Sequence, residues 1–164
     1  LLGLLNDYQP ADAPLLSTFA TASRIVCDGE SVPGVDPFDP ADRPDVHDVP
    51  MYVQTHAPNW REEGALWPEA GSSAELVFCV RGRPKSNSKT CRSRAPRGTM
   101  RIQSTRYAVE LREVATGAIL GQRAFPGDQR CPEVWKVQTP PVEVLAGLPF
   151  DAIASWASRW AEPP

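Results

Sequence analysis

The sequence lacks every short motif that would name a reaction. G-x-S-x-G, H-E-x-x-H, the P-loop pattern and G-x-G-x-x-G are all missing from its 164 residues. It has no C-x-x-C pair, which excludes the ligand spacing of a zinc knuckle or a thioredoxin-type redox site for its four cysteines. The opening run Leu1-Leu-Gly-Leu-Leu5 stops far short of the roughly 20 apolar residues that a membrane helix needs, so no membrane span is expected within this chain. No N-x-S/T glycosylation acceptor occurs, which suits a bacterial source better than a eukaryotic secreted one. Acids are missing altogether from Arg81 to Arg106, and aromatics from the interval between Phe78 and Tyr107.

What is present bounds the architecture. A length of 164 residues with 41% hydrophobic content supports one sizeable core. Eighteen prolines against 11 glycines make long helices improbable, because proline removes a backbone donor and breaks helix interiors. Short strands and ordered loops are left. Cys27, Cys79, Cys91 and Cys131 form an even set that reads as two disulfides. Such bridges persist in oxidising compartments, which points to an extracytoplasmic setting: secreted, periplasmic or at the cell surface. The first residue is leucine, so the chain reads as a mature or trimmed ectodomain with any signal peptide or anchor upstream.

Along the chain, residues 1–24 read as an N-terminal arm or short helix, and 25–164 as a single disulfide-linked domain. Residues 28–50 are rich in proline and aspartate, as in Val35-Asp-Pro-Phe-Asp-Pro40, with Val32, Val35 and Phe38 as anchors; they predict an ordered wrap. Val49 to Val53 alternates with a period of two, Ala74 to Arg81 is apolar and β-branched, and Arg101 to Glu113 alternates again. Ala115-Thr116-Gly117 supplies a turn, and Ala118 to Phe125 returns to complete a hairpin. Phe150, Ile153, Ala157 and Trp160 recur at helical spacing, with Trp156 beside them, Asp151 early and Arg159 late. The expected fold is α+β or mainly β: an antiparallel sheet with the C-terminal helix packed on it.

The sharpest anomaly is electrostatic. Arg81, Arg83, Lys85, Lys89, Arg92, Arg94, Arg97, Arg101 and Arg106 concentrate positive charge in a chain of net charge -3, leaving -12 on everything else. A basic lobe of this kind collects polyanions by releasing their counterions and by steering encounter. The competing reading is that it faces acids of the same molecule, such as Asp36, Asp39, Asp42 and Asp45. With no aromatic side chain in the segment, stacking recognition of single-stranded nucleic acid is disfavoured and no sequence-specific nucleic acid is expected. The partners left are an anionic glycan, a lipid headgroup or an acidic protein. His47 and His56, near Asp45, Asp48 and Glu62, are the candidate zinc or general-base pair of an alternative reading as a small secreted metal-dependent hydrolase. Nine residues is not a chelating spacing on one element. Trp60, Trp67 and Trp135 fall in loops and are candidates for a ligand platform, whereas Trp156 and Trp160 read as core. A third reading makes the domain a structural spacer of a larger envelope protein.

Several segments, taken in order, resemble a module of uncharacterised bacterial cell-envelope proteins. They are Cys27-Asp-Gly29, Val35-Asp-Pro-Phe-Asp-Pro40, Leu66-Trp-Pro68, Glu75-Leu-Val-Phe-Cys-Val80, Arg106-Tyr107, Val109-Glu-Leu111, Ala115-Thr-Gly117, Arg130-Cys-Pro132 and the ending from Trp156. Relatives carry an aromatic two positions after the second hairpin cysteine, where Ser93 stands here, and the basic segment from Arg92 to Arg101 is longer than usual. The resemblance implies an extracytoplasmic, membrane- or lipid-anchored disulfide domain and no particular activity or cofactor. Proximity in sequence pairs Cys79 with Cys91 and leaves Cys27 with Cys131, one of the three connectivities that four cysteines permit. The expected function is a non-catalytic binding or sensing module that meets an anionic partner through residues 81–106.

Overall fold

In the computed structural model the described residues are 25–42, 44–45, 49–55, 60–62, 75–94, 97–132 and 143–161. The arm expected over residues 1–24 lies outside them. Among the described residues, a helical turn at 25–27 is followed by β1 (Met51–Gln54), β2 (Arg61–Glu62), β3 (Leu76–Arg94), β4 (Arg97–Glu113), β5 (Ile119–Pro126), β6 (Glu143–Leu145) and helix α1 (Phe150–Ala161). The sheet runs β2-β1-β3-β4-β5, and β6 joins β4 beyond the end of β5.

The expected antiparallel sheet is in fact mixed, since β1 runs parallel to β3 and β6 parallel to β4. The alternation of side chains fixes which face a residue takes but not the direction of its strand. Parallel pairing needs a crossover of a dozen or more residues, and the 21 residues between Gln54 and Leu76 provide one.

Leu76, Phe78 and Val80 of β3 share one face with Tyr107, Val109 and Leu111 of β4, with Phe125 of β5, and with Ile153, Trp156 and Ala157 of α1. The helix supplies its apolar stripe to this core, and Trp156 meets Phe125 edge-on with ring centroids 5.8 Å apart. Phe150 was expected on the same stripe but is 44% exposed. It is the first helical residue, and side chains lean toward a helix's N-terminus, here off its end. Arg159 in the last turn donates from Nε to the Trp156 carbonyl.

On the opposite face Val77, Cys79 and Tyr52 meet Val26, Cys27, Trp60 and Val114. The described part of the proline-rich segment runs past the β4–β5 turn: Val32 N–H donates to the Val114 carbonyl and Phe38 N–H to Glu113 Oε2. The turn ends at Gly117, with φ at +73°, where a Cβ would lie 2.7 Å from the Glu30 carbonyl oxygen. Only glycine satisfies both the left-handed backbone and the close approach.

Strand β3 continues far beyond its expected end at Arg81. Residues 82–94 lack the apolar alternation of a half-buried strand, and they are extended because they pair with β4 as a long ribbon, which β6 flanks at residues 101–103. Two extra residues on β3 are absorbed between Pro84, opposite Thr105, and Ser88, opposite Gln103. Proline is tolerated at such an irregularity, where no ladder donor is needed. Gln103 Nε2 caps it by donating to the Lys85 carbonyl.

The ribbon overturns the expected disulfide pairing. Cys79 and Cys91 lie on one strand, twelve residues apart, and at about 3.3 Å per residue they stand too far apart for a bridge. The bridges are Cys27–Cys79 and Cys91–Cys131, with Cα separations of 5.4 and 5.6 Å. Their spans of 52 and 40 residues each restrict the unfolded chain by about 4 kcal/mol in the chain-entropy model. The first ties residues 25–27 to the sheet. The second ties the ribbon to the segment after β5, over a small cluster of Cys91, Ile102 and Ala146.

Where the ribbon leaves the sheet, the Tyr107 ring covers its cross-strand partner Gly82, and its hydroxyl donates to the Ala146 carbonyl. A Cβ at position 82 would meet the ring at 2.8 Å. Gly82→Ala is therefore expected to destabilise the fold by about 1–3 kcal/mol through overpacking, read by denaturant unfolding. Peptide mapping under non-reducing conditions is expected to recover Cys27 linked to Cys79 and Cys91 linked to Cys131. Recovery of a Cys79–Cys91 peptide would contradict the continuous β3.

Candidate functional site

The basic segment forms this ribbon and is not a hairpin tip closed by a disulfide. Backbone pairing fixes its register, from Arg83 opposite Arg106, through Thr90 opposite Arg101, to Arg94 opposite Arg97. Arg83, Lys85, Lys89, Arg92, Arg101 and Arg106 are exposed. The side chains of Arg94 and Arg97 lie outside the described part.

Arg81 departs from the expected role. Its guanidinium donates to the Cys27 carbonyl at 3.0 Å, approaches Glu110 at 3.5 Å and sits 4.8 Å from the Trp60 ring centre. Trp60 is itself buried and donates to Asp28 Oδ1 at 3.0 Å. These contacts lock the Cys27 segment onto β3, so both Arg81 and Trp60 serve the fold. Trp67 and Trp135 lie outside the described residues.

Two more ribbon cations are partly engaged within the molecule. Arg101 donates from Nε and Nη2 to Ser88 Oγ across the strands. Lys89 adds a positive field at Asp128, whose carboxyl is held below its usual range first by hydrogen bonds from Arg130. Arg83, Lys85, Arg92 and Arg106 have no carboxylate within ion-pair distance among the described residues.

The competing reading placed Asp36, Asp39 and Asp42 against the basic lobe. They gather instead around Glu75, at the opposite end of β3. Burial pushes the Glu75 carboxyl up; Asp42 and, more weakly, Asp36 and Asp39 push the same way, against a hydrogen bond from the Asp39 backbone N–H. At about 3.3 Å per residue, Arg83 stands roughly 25 Å from Glu75 along the strand and Arg92 roughly 50 Å. Both distances exceed the roughly 8 Å screening length at physiological salt, so this acidic end does not neutralise the ribbon. Asp45 is exposed. The sequence showed the charge imbalance, but only the continuous strand puts the two signs at opposite ends.

His47 and His56 lie outside the described residues. Among those described, no group of three or more His, Cys, Asp and Glu is arranged to hold a metal. The four cysteines are all oxidised, which removes a thiolate nucleophile. No helix among the described residues is long and apolar enough to cross a membrane.

The acidic end gives a pH test. Glu75→Gln removes the charge and keeps an acceptor for the Asp39 N–H. Because the folded carboxyl titrates above its unfolded value, the native protein loses stability as pH rises from the ordinary carboxylate range through the raised value. Melting curves are expected to show the variant more stable at neutral pH and equal to the parent in acid. Curves that coincide at every pH would show that the Glu75 charge is not strained.

No family model, curated protein or solved structure matches the chain.

Proposed function

We propose that the protein is a non-catalytic, extracytoplasmic binding module that takes an anionic glycan along its basic ribbon. The observation that carries this reading is the separation of charge along β3: acids gather at the Glu75 end and exposed cations continue to Arg92. The two disulfides support an oxidising compartment. They also bear on mechanism, because Cys91–Cys131 and the Arg101–Ser88 hydrogen bonds hold the ribbon's shape before any ligand arrives. A preformed surface loses less conformational freedom on binding than a loop that must order.

A glycan suits this surface better than a lipid headgroup. Residues 83–94 offer no aromatic or large aliphatic side chain to enter a bilayer interface, and an extended ribbon matches an extended polymer. Binding is driven by counterion release and weakens as salt rises.

The test is retention on an immobilised sulfated polysaccharide across a salt gradient. The triple variant Arg92→Glu, Arg94→Glu, Arg97→Glu is expected to elute at much lower salt; Arg92 is exposed, and Arg92→Glu alone is expected to alter stability by about 0.5 kcal/mol or less. Equal retention of parent and variant would remove the ribbon from the interface and favour a spacer role.

A further inference from the structure

The arginines on the face of the sheet that carries Cys79 fall into two groups. Arg81 and Arg112 both reach Glu110, at 3.5 and 2.8 Å, and Arg112 also donates to the Gly117 carbonyl. Glu110 thus compensates the two arginines nearest the core. One step further along the same face, Arg83 lies directly opposite Arg106, and Pro126 is the partner of Arg106 on its other side. Both arginines are exposed, and among the described residues neither has a carboxylate within ion-pair distance.

Directly opposed residues have Cβ atoms about 5 Å apart, and like charges placed so destabilise a strand pair. Register and the Gly82–Tyr107 contact hold these two positions in place, so the pair cannot relax by strand slippage. Two guanidinium forks at this spacing can both donate to a single tetrahedral oxoanion. Ser104 lies two residues along β4 on the same face and is half-buried, which puts a hydroxyl donor beside the pair.

We infer that Arg83 and Arg106 form a clamp for one phosphate or sulfate group, and that the anionic glycan carries its charge as such esters more than as carboxylates. This deepens the ribbon proposal and rests on it for the identity of the polymer, but the clamp itself can be tested alone. Bound oxoanion replaces the missing carboxylate: the repulsion between the two arginines becomes a shared attraction.

The test titrates low-millimolar inorganic phosphate or sulfate, with acetate as control and chloride holding ionic strength constant. Arginine Nε–H NMR signals and the melting temperature are the readouts. Saturable shifts at Arg83 and Arg106 are expected with phosphate and sulfate, and much weaker ones with acetate. Arg83→Gln and Arg106→Gln should each raise the melting temperature in the absence of oxoanion and weaken phosphate binding by roughly tenfold or more, the loss of a charge-assisted contact.

The triple glutamate variant at Arg92, Arg94 and Arg97 should keep its phosphate response. That result together with lost polysaccharide retention supports both proposals; a kept response with unchanged retention sinks the ribbon reading alone. No saturable shift in the parent, an equal response to acetate, or a lower melting temperature in the glutamine variants would overturn the clamp. Co-sedimentation with phosphatidate vesicles that the glutamine variants lose would move the ester from a glycan to a lipid headgroup and overturn the glycan assignment.

Discussion

The register between β3 and β4 is the constraint on which the rest depends. Sixteen residue pairs join these strands, from Leu76 opposite Glu113 to Arg94 opposite Arg97. At the inner end the pairing places apolar side chains on both faces, and each face finds a cover: α1 on one, the Cys27 segment with Trp60 on the other. At the outer end the same ladder continues after the apolar residues stop. Backbone hydrogen bonding there is set by continuity with the core more than by local propensity, because an isolated two-stranded hairpin is only marginally stable in water.

The two disulfides divide the support of this ladder. Cys27–Cys79 fixes the Cys27 segment over the inner end, where Arg81 reinforces it through the Cys27 carbonyl and the Trp60 ring. Cys91–Cys131 fixes the outer end with Ile102 and Ala146 beneath it. A ribbon with little core of its own is thereby held to the body at both ends. The cations it carries are therefore positioned by covalent and backbone constraints, and the side chains of Arg83, Lys85, Arg92 and Arg106 are exposed.

Legibility in the sequence followed the hydrophobic pattern. Strand β5, the turn at Gly117 and the helix were legible because their periodicity and punctuation agree: alternation into β4, a glycine at positive φ, then apolar steps of three and four with Asp151 and Arg159 at suitable ends. The outer half of β3 was not legible. Gly82 to Arg94 carries almost no apolar side chain, so its extended form comes from its partner strand. The disulfide error followed from that omission, since a cysteine pair close in sequence is close in space only if the chain turns between them. The strand expected over Val49 to Val53 is present as β1, but its parallel direction and the three-residue β6 were missed, because direction and edge pairing leave no composition signal. The charge anomaly was legible as an imbalance. Its separation from Asp36, Asp39 and Asp42, and the structural use of Arg81, required the fold.

The irregularity between Pro84 and Ser88 has a bearing on how such a ribbon can vary. Two surplus residues, an even number, leave the alternation intact, so Cys91 still points to the side on which Cys131 and Ile102 wait. A single surplus residue is absorbed between β4 and β5, where Leu111 faces Gly121 and Arg112 faces Ile119 with Leu120 left over, at the cost of reversing which residues of the bulged strand take each face. Surplus length in the ribbon is thus taken up before Cys91, so that the outer pairs from Ser88 to Arg94 keep their partners on β4 and the covalent tie among them keeps its place.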